Sequence, residues 1–378
     1  MKRVRDVHQQ LLDKRDQIVT SMEAHQGLVS CVRRLPTEIL GEIFVRCLPP
    51  DTHIEPDIRT APFLLMGVCR GWRKVALGTP RLWCSLSVRP SHRVLQQGLF
   101  FYHHWLSRAR GCPLSLAVDT RRPPQNPVWR YEVTELLQPY MSRCARLHVT
   151  FDDATALDLL LKDIPMLEHL TLEGDLRRAQ KQKLRIVQPE PRLRSLTLDT
   201  VALGLDQVFL FDPGWTHLTH LRVTLGRASR EREHGMDGLV VFILLALCPH
   251  LEEFVFSPVF ISRHMAMTTD MHTSTPYTLT HARLRTFDVV VLYGAGCFLD
   301  KLTLPALRRL KIRDLDIVPN AWQQNALRSF LTRSGCPLEM LRIHGAQVSI
   351  RKEDRAEYAA LVPTLKHLDV SSVCHDTL

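Results

Sequence analysis

Pro165-Met166-Leu167-Glu168-His169-Leu170-Thr171-Leu172 places three leucines in the order Leu-x-x-Leu-x-Leu, two residues after a proline. The last two leucines are separated by one residue, the period of a strand that buries one of its faces. A single copy of so short a pattern carries no weight, but this one recurs. Leu193, Leu196 and Leu198 fill the same slots, as do Leu218, Leu221 and Val223; Leu251, Phe254 and Phe256; and Leu284, Phe287 and Val289. Leu307, Leu310 and Ile312 follow, then Leu338, Leu341 and Ile343, and finally Leu365, Leu368 and Val370. Leu147 and Val149 fit an earlier copy, and Leu114, Leu116 and Val118 a first one. From 147 to 368 the middle-slot residues lie 23 to 33 residues apart. Self-similarity at such a period marks units that cannot bury their apolar faces alone and stack on their neighbours. Helical stripes fit the gaps, among them Leu157, Leu160, Leu161 and Ile164, and later Trp322, Ala326, Leu327, Phe330 and Leu331. One strand and one helix per repeat predict a curved α/β array over residues 89–378.

Upstream, residues 31–88 read as a compact helical module. Leu35-Pro36-Thr37-Glu38 opens a helix with proline in its first turn, where the missing N–H costs nothing. Ile39, Leu40, Ile43, Phe44, Cys47 and Leu48 then form an apolar stripe wider than one packing contact requires. Pro49-Pro50 ends it. Beyond a polar loop from Asp51 to Thr60, a second helix repeats the stripe through Leu64, Leu65, Val68, Cys69, Trp72, Val75 and Ala76. Thr79-Pro80 stops that helix, and Leu82-Trp83 follows. Residues 1–30 read as one helix on the spacing of Val4, Val7, Leu11, Ile18 and Met22. We read it as packed on the next domain, with a coiled-coil or dimerisation arm as the alternative.

The bulk properties exclude several classes. A 45% hydrophobic and 23% charged composition over 378 residues is that of a core-forming protein. Met1 to Asp13 is charged and lacks the apolar core of a secretory signal. The longest apolar run, Leu239 to Cys248, is about half a membrane span. A soluble protein of the cytoplasm or nucleus is expected, without membrane partners. The ten cysteines include no Cys-x-x-Cys and no zinc-ligand spacing, so they read as reduced, small, buried hydrophobes. Enzyme motifs are missing. Gly294-Ala295-Gly296 has no third glycine, and neither a phosphate loop, a nucleophile elbow nor His-Glu-x-x-His occurs. His103-His104 and the pair His217 and His220 lack a third metal ligand. No cofactor or metal is expected. The net charge of +10 suits nucleic acid or an acidic partner. The basic run Arg177, Arg178, Lys181, Lys183 and Arg185 carries the nucleic-acid alternative, but without interleaved aromatics it reads as a solvated loop.

The 31–88 segment resembles an F-box. The resemblance is carried by Leu35-Pro36-Thr37-Glu38-Ile39-Leu40 with Ile43-Phe44, then Val68-Cys69-Arg70-Gly71-Trp72-Arg73, Val75-Ala76-Leu77 and Leu82-Trp83. The whole organisation, an N-terminal helix, this module and degenerate leucine-rich repeats, resembles the expanded F-box families of mushroom-forming fungi. The resemblance implies a non-catalytic substrate-recognition subunit of a Skp–cullin–F-box ubiquitin ligase. Leu35, Pro36, Ile39, Leu40, Ile43 and Phe44, with Val68, Cys69 and Trp72, would contact a Skp-family adaptor and through it the cullin. The repeats would hold a target protein. A module this small cannot hide two wide stripes internally, which independently calls for a partner. The chain departs from the family in its longer Pro49–Pro62 loop and in lacking the Asn that follows each strand, Asp175, Val201 and Ala346 standing in that slot. A scaffold of the same architecture, uncoupled from ubiquitination, is the other reading.

Residues between and beside the strand leucines should point away from the core. They are His169, Thr171, Glu173; Ser195, Thr197, Asp199; His220, Arg222, Thr224; Glu253, Val255, Ser257; Thr286, Asp288, Val290; Arg309, Lys311, Arg313; and Met340, Arg342, His344. One strand is uniformly basic through Arg309, Lys311 and Arg313, with Arg342 on its neighbour. Like charges spaced by two on one strand repel unless an anion or solvent intervenes. Because Arg forks match carboxylate and phosphate oxygens, the expected bait is an acidic or phosphorylated protein segment. The plainer alternative is a solvated basic face.

Overall fold

A computed structural model describes the chain except residues 1, 30, 50–52, 91–97, 122–127, 153–154, 175–183, 187, 189, 201–204, 226–237, 257–277, 292–298, 315–323, 346–357 and 372–378. The protein is a mixed α/β chain built on one large parallel sheet.

The N-terminal part is helical: α1 (Lys2–Val29), α2 (Thr37–Arg46), α3 (Phe63–Val68) and α4 (Arg70–Gly78). β1 (Ser85–Val88), α5 (Gly98–Arg108), β2 (Leu114–Asp119), α6 (Trp129–Met141), β3 (Cys144–Phe151), α7 (Thr155–Leu160) and β4 (His169–Gly174) come next. Then come β5 (Leu184–Arg185), β6 (Ser195–Thr200), α8 (Leu205–Leu210), β7 (Phe211–Asp212), β8 (His220–Leu225), α9 (Gly238–Leu247) and β9 (Glu253–Phe256). β10 (Leu279–Thr280), β11 (Thr286–Val291), β12 (Leu302–Thr303), β13 (Arg309–Asp314), α10 (Gln324–Ser334), β14 (Met340–Gly345) and β15 (His367–Ser371) complete the order.

Eleven strands form the main sheet in the order β1-β2-β3-β4-β6-β8-β9-β11-β13-β14-β15, and β5 with β7 and β10 with β12 make two short ladders beside it. Every Leu-x-x-Leu-x-Leu segment from Leu167 onward ends in a strand of this sheet, and the pairing registers align equivalent slots. Leu147, Leu170, Leu196, Leu221, Phe254, Phe287, Leu310, Leu341 and Leu368 stand in one row across consecutive strands. Leu86 and Leu116 extend that row to β1. From β1 to β14 the two inner residues of each strand are no more than 3% exposed. Trp105 and Leu106 of α5, Val133 and Leu137 of α6, Leu244 of α9 and Phe330 of α10 share their core. One face of the sheet therefore carries the helices, and the other, the outer face, displays the alternate residues. β4 ends on Gly174, whose φ of 156° and a would-be Cβ 2.3 Å from the Phe151 carbonyl oxygen leave no room for a side chain.

Four expectations change. Ser85–Val88, assigned above to the helical module, is the first strand of the sheet, because Ser-Leu-Ser-Val alternates and pairs parallel with β2. The second helix of that module is two helices. At Cys69 the backbone is extended (φ −161°, ψ 171°), and the thiol caps α4 by accepting from the Trp72 N–H at 3.4 Å. The first helix, read above as packed on the next domain, carries Val7, Leu11, Ile18 and Met22 each more than half exposed among its described side chains. Cys47 is exposed, whereas Cys144, Cys248 and Cys336 are buried. Burial pushes the thiols of Cys144 and Cys248 up to about 12, so those two stay protonated. The apolar run at 239–248 lies in α9, with Val240, Val241, Leu244 and Leu245 in the core. Among the described residues no helix is long and apolar enough to cross a membrane.

Candidate binding surfaces

The stripes of the helical module divide between core and surface. Phe44 is fully buried and Leu40 is 7% exposed. The Phe44 ring meets Trp72 at a centroid distance of 4.9 Å, which fastens α2 to α4. Ile39 and Ile43 face out from α2 at 50% and 41% exposure, and Leu64 and Val68 do so from α3. Each pair is spaced by four, one helical turn, so the exposed apolar area is continuous along its helix. Between α2 and α4 runs a groove of about 940 Å³, lined by Leu35, Leu40, Cys69, Trp72 and Val75, with Glu38, Glu42, Arg70 and Lys74 adding charge. Pro36 is exposed in front of α2. Of the nine docking residues expected from the sequence, Phe44 is inside the module. Leu35, Leu40, Cys69 and Trp72 line the groove, and Ile39, Ile43 and Val68 lie on the surface.

Three of the four basic residues expected on the outer face have anions within the chain. Register pairs Asp288 on β11 directly with Lys311 on β13. The Lys311 ammonium lies 3.2 Å from one Asp288 oxygen, and the Arg313 guanidinium 3.8 Å from the other. Arg342 stands beside Lys311 on β14 and 4.0 Å from Asp369 on β15. Arg309 is exposed and has no acidic partner among the described residues. The repulsion expected along β13 is thus relieved by Asp288, not left wholly for a ligand. This neighbour was legible, since aligning the repeats puts Asp288 and Lys311 in the same slot.

An acidic region at the other end of the face was missed. Its residues repeat in one slot as well: Asp119, Glu173 and Asp199. Asp119 is held by Arg121 through two bonds, 3.0 and 2.7 Å. Glu173 accepts from the Thr150 hydroxyl at 3.2 Å and lies 3.3 Å from His148 Nε2. Burial raises the Asp199 carboxyl above its usual range, and the neighbouring Glu173 carboxylate raises it further.

The long loop after α2 also reaches the sheet. Its Ile54 carbonyl accepts from the Ser87 N–H at 2.8 Å, covering the open edge of β1, and Ile54 is only 3% exposed. The His53 ring lies 6.1 Å from that of His148 on β3. Ser87, Ala117 and His148 form one outer row. Burial first, then the charges of His148, Arg146 and Arg89, lowers His53 to about 4.

Other sequence candidates have ordinary roles or lie elsewhere. His103 Nδ1 is 2.9 Å from the Tyr140 hydroxyl, joining α5 to α6. Residues 177–183 of the basic run, Gly294-Ala295-Gly296, Ser257, Trp322 and the Asp175, Val201 and Ala346 slots lie outside the described residues. Compared with known proteins, the chain matches no protein-family model and no curated sequence.

Proposed function

We propose that this chain is the substrate-recognition subunit of a Skp–cullin–F-box ubiquitin ligase. Its helical module would dock the adaptor, and the outer face of its leucine-rich-type solenoid would hold a target protein. The observation that carries this reading is the split of the apolar stripes. Phe44 and Leu40 build the module, yet Ile39, Ile43 and Val68 are left exposed around an adjoining groove lined by Leu35 and Trp72. Exposed apolar side chains at this density in so small a unit are stabilised by a partner. The loop bond from Ser87 to Ile54 ties that module to the first strand, so an adaptor and a target would be held at a defined relative orientation. Arg309, Lys311, Arg313 and Arg342 form the region suited to an acidic or phosphorylated segment of the target.

Affinity capture with a Skp-family adaptor tests the docking half. Ile39→Asp with Val68→Asp changes only exposed side chains, so the fold is kept while docking is lost. Adaptor recovery equal to wild type would sink the reading. Ubiquitin transfer to a captured target, reconstituted with cullin and RING subunits, separates a ligase subunit from a scaffold.

A further inference from the structure

The two ends of the main sheet are finished differently. At the β1 end the Ile54 carbonyl takes the free Ser87 N–H. At the β15 end no strand pairs beyond β15 among the described residues. The inner residues tell the same story: Leu368 and Val370 are only half-buried, and Leu361 before them is 40% exposed. The residues corresponding to Leu368 and Val370 in the other strands of the main sheet are sealed.

Hydrogen bonding shows which backbone groups of β15 point away from β14. The His367 N–H donates to the Glu339 carbonyl at 3.1 Å, so His367 and its alternates Asp369 and Ser371 turn toward β14. Leu368 and Val370 therefore turn their N–H and C=O groups outward. Such an edge is a template for another strand.

We infer that two copies of this chain associate edge to edge through β15, antiparallel about a twofold axis at Leu368. The axis position follows from the side chains. A twofold axis pairs each residue with a counterpart equally far on the other side. With the axis at Leu368, the two Leu368 residues exchange both backbone bonds, and their half-buried side chains cover one another. On the outer face His367 then faces Asp369 of the second copy, and Asp369 faces the second copy's His367. An imidazole donates to a carboxylate in either protonation state. Among the described residues the cation paired with Asp369, Arg342, is at 4.0 Å, beyond hydrogen-bond length, which leaves the carboxylate able to accept. An axis at Asp369 would still exchange backbone bonds, between Leu368 and Val370, but it would oppose two carboxylates on the outer face. An axis at Val370 would set Asp369 against Ser371 and lose both charged pairs.

Sedimentation of the full chain over a range of concentrations tests this. Wild type should show a reversible monomer–dimer equilibrium. His367→Asp opposes two carboxylate pairs and Asp369→His opposes two imidazole pairs, so each should weaken association about tenfold. Combining both substitutions swaps the partners, restores the pairs and should restore the dimer. All are exposed positions, and circular dichroism checks that the variants fold. A wild-type chain that stays monomeric at its highest soluble concentration overturns the inference, as does a double variant that remains as weak as the singles. A dimer indifferent to all three variants but lost on Leu11→Lys with Ile18→Lys also overturns it, placing the contact on α1.

Discussion

The inner and outer rows of the main sheet come from the same strands, one residue apart, and obey opposite rules. The inner rows repeat Leu, Val, Ile and Phe from β1 to β14 and are sealed throughout. The outer rows change chemistry along the sheet. The third outer position is acidic in β2, β4 and β6, turns to buried Val290 in β11, and becomes Arg313 in β13. Identity on one face and variety on the other separate two jobs. Stacking fixes the inner residues because each must fill the gap left by its neighbours, whereas an outer residue is constrained only by cross-strand partners and by what binds.

Phe254→Ala should break the inner side of this contrast most severely. The ring is fully buried and stacked on Phe287 at 5.9 Å, so a loss of about 3–5 kcal/mol is expected. Thr197→Ala on an outer row should change stability by under about 0.5 kcal/mol; urea unfolding of both measures the difference. Gly174→Ala should cost about 1–3 kcal/mol, since the added methyl meets the Phe151 carbonyl in a backbone conformation that favours glycine. The third effect is pH-dependent and sits where the outer face is covered. His53 titrates at about 4 when folded against 6.5 when unfolded, so between those values the unfolded chain binds more protons. Stability is fully present above pH 6.5 and falls as pH drops toward 4. His53→Asn should flatten that part of the stability–pH profile, measured by denaturant midpoints; an unchanged slope would remove His53 from the account.

A small change in stability is expected at the basic end, where the main readout is binding. Asp288→Asn removes the anion shared by Lys311 and Arg313, at a cost of about 0.2–1 kcal/mol. Its effect on binding should be an increase in retention of an acidic or phosphorylated peptide, read by fluorescence anisotropy. Replacing Arg309, Lys311 and Arg313 together with Glu should abolish that retention; because two of the new carboxylates would face Asp288, circular dichroism checks that the variant folds. Retention by the triple variant would show that recognition lies elsewhere on the face.

Several elements were legible because their signal is local. Leu167, Leu170 and Leu172 specify a half-buried strand by spacing alone, and recurrence of that spacing placed residues as distant as Leu147 and Leu368 in one row. The stripe of Leu157, Leu160, Leu161 and Ile164 likewise marked α7, all four being buried. The apolar stripes of the helical module were legible as composition but not as orientation. A wide apolar helix does not say which edge becomes core, and Phe44 went inside because the Trp72 ring was there to meet it.

By itself, then, the sequence determined the recurring strands, their inner residues and their parallel stacking, because each unit encodes the same short periodicity and needs its neighbour. Only the tertiary structure decided the contacts between segments without a period. It broke the second helix at Cys69, brought His53 and Ile54 onto the first strands, and left Leu368 half covered at the last strand. Those outcomes depend on which side chains meet across space, and spacing along the chain does not carry that information.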